Sequence, residues 1–233
     1  MRLILIRHGQ TESNVGRLLD TALPGPGLTD LGQRQAQALV EAFRDVPIDA
    51  LAASSALRTQ QTAAPLAAAR GLDLRLFPGA REIAAGELEM QGGQANISAY
   101  LGTVYSWLQG HRDRRMPGAD SGHEVLDRFD AAVEQLCASG DLEPSATVVL
   151  VSHGAMIRYW AASRVEGMDP EHPERYELSN TGVVVLESIP GEPGTDADHK
   201  SWRLVRWISG PAGGPELADR AHDGPADDAF SHA

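Results

Sequence analysis

Two short apolar runs, Leu3–Ile6 and Thr147–Val151, each break off at a histidine followed by glycine: Arg7-His8-Gly9 after the first, Ser152-His153-Gly154 after the second. Neither run alternates apolar with polar residues, and both carry β-branched side chains. They read as strands covered on both faces, the habit of a parallel sheet. Helical patterns fall between and after them. Thr29 caps a predicted helix over about Asp30–Arg44, with Leu31, Ala38, Leu39 and Phe43 on its apolar face. A second is expected over Leu57–Arg70, stopped by Gly71. A third spans about Ile97–Leu108. A fourth opens on the Ser121/Glu124 capping box and runs to about Ala138, and a fifth follows His153 as far as Ser163. Weaker strands are expected at Ile48–Ala53, Leu72–Phe77, Val183–Glu187 and Trp202–Ile208. This alternation predicts an α/β fold, a three-layer α/β/α sandwich on a mostly parallel central sheet. Ligands on such sheets bind at the carboxyl ends of the strands, where both histidines sit.

The bulk composition narrows the partners. The 233 residues are 42% apolar, enough for one large core, and the net charge is −12. An acidic chain is a poor ligand for nucleic acid or anionic membrane, so neither is expected as a partner. Met1–Arg7 holds only four apolar residues between its two arginines, too few for a secretory signal, and no run is long enough to cross a bilayer. The single cysteine, Cys137, can form neither an internal disulfide nor a Cys-rich zinc site, which fits a cytoplasmic setting. From Gly210 the chain is rich in Gly, Pro, Ala and Asp and reads as a disordered acidic tail, 210–233, following a catalytic domain over 1–209. Five acidic residues against Arg220 give that tail −4, leaving −8 for the rest.

Several familiar motifs are absent. No Gly-rich loop ends in Gly-Lys-Ser/Thr. Gly25-Pro26-Gly27 lacks the third glycine of a dinucleotide fingerprint. His123-Glu124 is followed by Asp127 where a zinc protease needs His. No metal and no cofactor is expected. What remains is two histidines and two arginines, Arg7 and Arg58, near strand ends or a helix start. A phosphoryl group spreads charge over its equatorial oxygens and needs several fixed positive donors, for which the planar fork of Arg is suited. A neutral imidazole can attack phosphorus, and a carboxylic acid is then needed to protonate the leaving oxygen. Each residue alone reads more simply as a loop or surface group; their shared position at one edge of the sheet raises the chemical reading.

The stretch Leu5-Ile6-Arg7-His8-Gly9-Gln10-Thr11-Glu12-Ser13-Asn14 resembles the signature of the histidine phosphatase family, in its phosphoglycerate mutase-like branch. The resemblance continues through Leu28–Ala36, Ser55–Ala63 and Ser152-His153-Gly154, covering about residues 2–187 in the expected order. It implies a phosphomonoesterase acting on a small phosphorylated metabolite through a phosphohistidine on His8. Arg7, Arg58 and His153 would clamp the phosphate, with Asn14 as a further donor. Gln10, Thr21 and Gly154 fall in the same substrate-binding set. The acid is implied within Arg81–Glu89, where Glu82 is preferred to Glu87 and Glu89.

The chain also departs from the family pattern. Leu18-Leu19-Asp20-Thr21 stands where a Gln-Gly pair is common, Met90 where Gly often follows the second Glu, and Ala119-Asp120 where Gly-Glu precedes the capping Ser. Residues 86–116 are expected to form a helical lid that sets specificity. Arg114 and Arg115, at its end, are candidates for gripping a second anionic group. The alternatives are a phosphoglycerate mutase and a non-catalytic module that holds a phosphorylated ligand. Against the mutase, Glu82 precedes Ile83-Ala84-Ala85-Gly86 rather than the mutases' Arg-His-Tyr-Gly, and Lys200 is the only lysine. The oligomeric state is left open, with a homodimer allowed.

Overall fold

The computed structural model describes residues 1–138, 142–169, 172–190 and 200–225. The elements run β1 (Arg2–Arg7), α1 (Glu12–Val15), α2 (Asp30–Ala42), β2 (Ala50–Ala53), α3 (Leu57–Arg70), β3 (Leu74–Leu76) and α4 (Gln94–Leu108). They continue with α5 (Gly122–Cys137), β4 (Thr147–Ser152), α6 (Gly154–Arg164), β5 (Val165–Glu166), β6 (Val183–Ser188) and β7 (Trp202–Ile208). The seven strands form one sheet in the order β3-β2-β4-β1-β6-β7-β5. Only β6 opposes its neighbours, running antiparallel to both β1 and β7.

The continuous apolar runs have the expected cause. Leu3 and Leu5 of β1, with Val148 and Leu150 of β4, face one layer built mainly from α4, α5 and α6. Ile4 and Ile6, with Val149 and Val151, face the other layer, where Leu39 of α2 and Phe43, which caps that helix, meet Ala63 and Leu66 from α3. Successive side chains of a strand point to opposite faces, so a strand covered on both has no polar position to spare. The cores meet on the sheet, giving the three-layer sandwich.

Two caps read in the sequence are in place. The Thr29 hydroxyl accepts from Gly32 N at 3.0 Å. Ser121 and Glu124 exchange both bonds of a capping box. At the start of α2 the backbone of Gly32 lies against the loop after β1, and a β-carbon there would stand 2.2 Å from the Gln10 carbonyl oxygen. Backbone cannot rotate away as a side chain can. Gly32→Ala is therefore expected to destabilise the fold by about 1–3 kcal/mol, the usual range for overpacking. A thermal melt checks this; an unchanged midpoint would show that the loop gives way freely.

The segment after Gly210 differs from expectation. As far as Pro225 it is folded against the body rather than disordered. Ala212 N donates to Thr181 O at 3.1 Å, and the buried Gln35 side chain donates to Leu217 O at 2.9 Å. Its Gly and Pro content serves turns and close packing, which composition alone does not separate from disorder. Residues 226–233, with Asp227 and Asp228, lie outside the described residues. Among the described residues no helix is long and apolar enough to cross a membrane.

Candidate active site

Strand register builds the site. β1 and β4 pair in parallel with Arg7 opposite Ser152, so their carboxyl ends finish level. His8 N then donates to Ser152 O at 3.0 Å, which sets His8 and His153 side by side. Their rings meet edge-on, with centroids 5.3 Å apart. β2 pairs on the other side of β4 and delivers Ser54, after which α3 begins and presents Arg58. The four polar side chains are almost wholly enclosed: Arg7 is 4% exposed, His8 5%, Arg58 3% and His153 0%.

The His8 ring has a defined tautomer. Its Nδ1 lies 2.7 Å from the Gly9 carbonyl, which can only accept, so the proton is on Nδ1. The lone pair is then on Nε2. Burial, with the charges of Arg58 and Arg7 beside it, holds His8 well below the ordinary imidazole value. Burial and the same arginines lower His153 too. Both rings are thus neutral at pH 7, and the Nε2 of His8 is a competent nucleophile without any base to activate it. Cys137 offers no rival, since burial pushes its thiol up to about 11.

At the site, Nη1 of Arg58 and Nδ1 of His153 are buried without a hydrogen-bond partner among the described residues. Unpaired buried donors are rare, and a cluster of them marks a place for an anion. The other Arg58 nitrogen, Nη2, donates to Asp20 O at 3.2 Å. On the far side of its ring, His153 Nε2 meets Ser54 Oγ at 2.7 Å.

Arg7, His8, Asn14, Thr21, Arg58, Glu82 and Gly154 line one cleft of about 580 Å³, counting the part open to solvent. His153, whose ring meets that of His8, does not itself line it. The rest of the wall is largely apolar: Leu18 and Leu19 from the loop after α1, and Ile97, Tyr100 and Leu101 from α4. The Tyr100 hydroxyl, held well above its usual range by burial, donates to Ile83 O at 2.9 Å.

Of the three candidate acids, only Glu82 reaches the cleft. Its Oε1 accepts from Ile83 N at 2.9 Å and Met156 N at 2.8 Å. Among the described residues Oε2 accepts from Ala155 N, at 3.2 Å, and a lone pair is left there for a proton. The carboxyl therefore rests on the first turn of α6, whose N–H groups have no helical partner. Glu89 is instead bound to Thr21 and Ala22, accepting from both backbone N–H groups and from the Thr21 hydroxyl. Glu87 is exposed.

Three sequence expectations are not met. Gln10 does not line the cleft; its side chain turns to the C-terminal segment, donating to Asp219 Oδ2 at 3.0 Å. Arg115 is half-exposed and pairs with the capping-box residue Glu124 at 2.9 Å. Arg114 follows the same turn outside the cleft, its carbonyl accepting from Trp107 Nε1. The capping box draws this strand of chain to the start of α5, away from the phosphate end. His123 lies half-exposed on α5, as expected.

Other residues escaped sequence reading. Arg128 of α5 donates to the carbonyls of Gly79, Arg81 and Glu82, pinning the turn that carries the acid. Asn180 donates to His8 O at 3.0 Å. Ser54 orients His153. Their partners are mainly backbone carbonyls, or side chains far along the chain such as His153 and Asn14, so no local motif announces them. Among the described residues no group of three His, Cys, Asp or Glu side chains could hold a metal ion.

Comparison with known proteins identifies the family. Residues 3–207 match the family described as histidine phosphatase superfamily (branch 1). A PE-PGRS family protein of Mycobacterium tuberculosis, PE_PGRS11, is 36% identical over 91% of this chain, which spans only 37% of that relative's length. A probable phosphoglycerate mutase, GpmB, of Enterobacter sp. (strain 638) is 30% identical over 91% of this chain and 93% of its own. Among solved structures, a mycobacterial glucosyl-3-phosphoglycerate phosphatase in complex with VO3 superposes with a TM-score of 0.70. It is 29% identical, over 89% of this chain and 99% of its own.

Proposed function

The chain belongs to branch 1 of the histidine phosphatase superfamily; on that premise we propose that it is a phosphoric monoester hydrolase, and that its residues divide the work as follows. The carrying observation is that Arg7, neutral His8, Arg58 and Glu82 converge on one cleft. The His8 Nε2 lone pair attacks phosphorus while the bond from phosphorus to the ester oxygen breaks. Glu82 gives its proton to that oxygen, and the alcohol leaves. Water then attacks the phosphohistidine, Glu82 takes the water's proton, the N–P bond breaks, and the electron pair returns to Nε2. Arg7, Arg58 and Asn14 hold the equatorial oxygens, with His153 as a further donor. Because the arginines are fixed before substrate arrives, they need no rearrangement as charge develops.

The substrate is a small phosphorylated metabolite. Arg7 and Arg58 are the only cationic side chains lining the cleft among the described residues, and both serve the transferred group. The remaining wall, with Leu18, Leu19, Ile97 and Leu101, suits a leaving group without a second strong anionic centre. Arg114 and Arg115 have no part in this reading. Helix α4 is the lid, and the setting is cytoplasmic. Glucosyl-3-phosphoglycerate, named for the structural neighbour, belongs in the first substrate panel.

A mutase is the second reading, favoured by the likeness to the GpmB proteins. A mutase must keep water from the phosphohistidine and hold a phosphoglycerate carboxylate. Lys200 is spent on Ala162 O and does not line the cleft. Supplied with 3-phosphoglycerate and a trace of 2,3-bisphosphoglycerate, the protein is expected to accumulate no 2-phosphoglycerate. Fast isomerisation with negligible phosphate release would establish the mutase instead.

A further inference from the structure

We propose that the segment Asp219–Pro225 is part of the phosphate site, with Asp223 as a positioning residue for Arg7, a proposal that rests on the reading of the site just given. The two terminal nitrogens of Arg7 donate to two backbone carbonyls, Nη1 to Leu178 O at 2.5 Å and Nη2 to Asp223 O. A carbonyl on each nitrogen fixes the plane of the guanidinium. One of them comes from 216 residues along the chain.

Asp223 is itself anchored and only 3% exposed. Its Oδ1 accepts from Asn180 N at 3.4 Å, and Asn180 in turn donates to His8 O and to Asn14 Oδ1. The same residue thus joins the Arg7 fork to the loop holding the nucleophile. Gly224 follows at φ +118°, and a β-carbon there would stand 2.9 Å from Asn14 Nδ2 and 3.1 Å from Arg7 Nη2. The backbone lies directly against the clamp, and Pro225 completes the wall of the cleft. Upstream, Asp219 ties the segment to the signature loop through Gln10, and also accepts from His222. The place of Gln10 in the signature is thereby explained: it holds this segment rather than substrate.

The sign of the charge effect gives the test its force. Two carboxylates near a dianion repel it, so removing them should tighten anion binding if charge were their only influence. A positioning role predicts the reverse. In the full-length chain, Asp219→Ala/Asp223→Ala is expected to bind orthovanadate about 10- to 100-fold more weakly, the scale of a small misplacement of a clamping group. kcat/KM for p-nitrophenyl phosphate should fall in parallel. Asp219→Asn/Asp223→Asn, equally uncharged but still able to accept, should keep most of the affinity. Calorimetric titration below the melting temperature of each variant reads these values. Equal or tighter binding by the Ala pair overturns the proposal, as does an equal loss in both pairs. Wild-type protein that neither binds orthovanadate nor releases phosphate would overturn the phosphatase reading itself, and this proposal with it.

Discussion

His8→Ala is expected to lose turnover of every phosphomonoester by on the order of 10⁴-fold or more, as removal of a covalent nucleophile does. The fold should survive. The side chain makes its one described hydrogen bond to the adjacent Gly9 carbonyl, whereas the tie across the sheet, His8 N to Ser152 O, belongs to the backbone. Acid-labile phosphate should be trapped on the wild type in a rapid quench and be absent from the variant. Activity at the wild-type level would end the mechanism. The lowered His8 value has a further consequence. The ring remains unprotonated as pH falls through 6.5, so acidification to that point should not remove the nucleophile. Protons bind the unfolded chain before the folded one here. The stability the two buried rings confer is complete above pH 6.5 and declines as pH falls below it.

Glu82→Gln is expected to slow alkyl phosphates by about 10²- to 10⁴-fold, the usual range for a general acid, and aryl phosphates far less. Aryl leaving groups depart without a proton; alkoxides do not. The amide keeps an oxygen to accept from Ile83 N and Met156 N, so the turn should hold. What it loses is the lone pair on the other atom, where the proton would ride. Rates for p-nitrophenyl phosphate and an alkyl phosphate, measured side by side, decide the matter. Equal losses on both would remove Glu82 from the acid's role. Glu89, clamped by Thr21 and Ala22, does not line the cleft.

The sequence was most legible where the cause of structure is local. Four apolar residues in a row before Arg7 read as a strand covered on both sides, and the caps at Thr29 and Ser121 act within three residues of themselves. The phosphate end followed, because parallel strands that start level also finish level. The resemblance supplied the roles, and the choice of Glu82 over Glu87 and Glu89 agrees with which carboxylate reaches the cleft. Legibility failed where a residue answers to something far along the chain. Gln10 stands among phosphate-facing neighbours in the signature yet is drawn to Asp219. Arg114 and Arg115 form a basic run whose direction is set by Glu124. Gly210–Pro225 has the composition of loose coil, but Thr181, Gln35 and Arg7 supply its order. Arg128 and Asn180 bond chiefly to backbone carbonyls distant in sequence, which carry no sequence mark.

The level ending of β1 and β4 also dictates when the protein can begin to work. β1 is made before every other strand and lies in the middle of the sheet, yet both its neighbours come late: β4 starts at Thr147 and β6 at Val183. At ordinary translation speeds of about 5–20 residues per second, the apolar face Leu3–Ile6 waits on the order of ten seconds or longer for its first partner. Local pairing cannot shelter it, because every ladder it joins spans more than a hundred residues. Such long-range closure is slow and leaves sticky surface uncovered meanwhile. A ribosome-bound fragment ending before Thr147 therefore carries the nucleophile and the Arg58 helix without a pocket. The pocket is complete only once β4 has joined β1, so no turnover is expected from any shorter fragment.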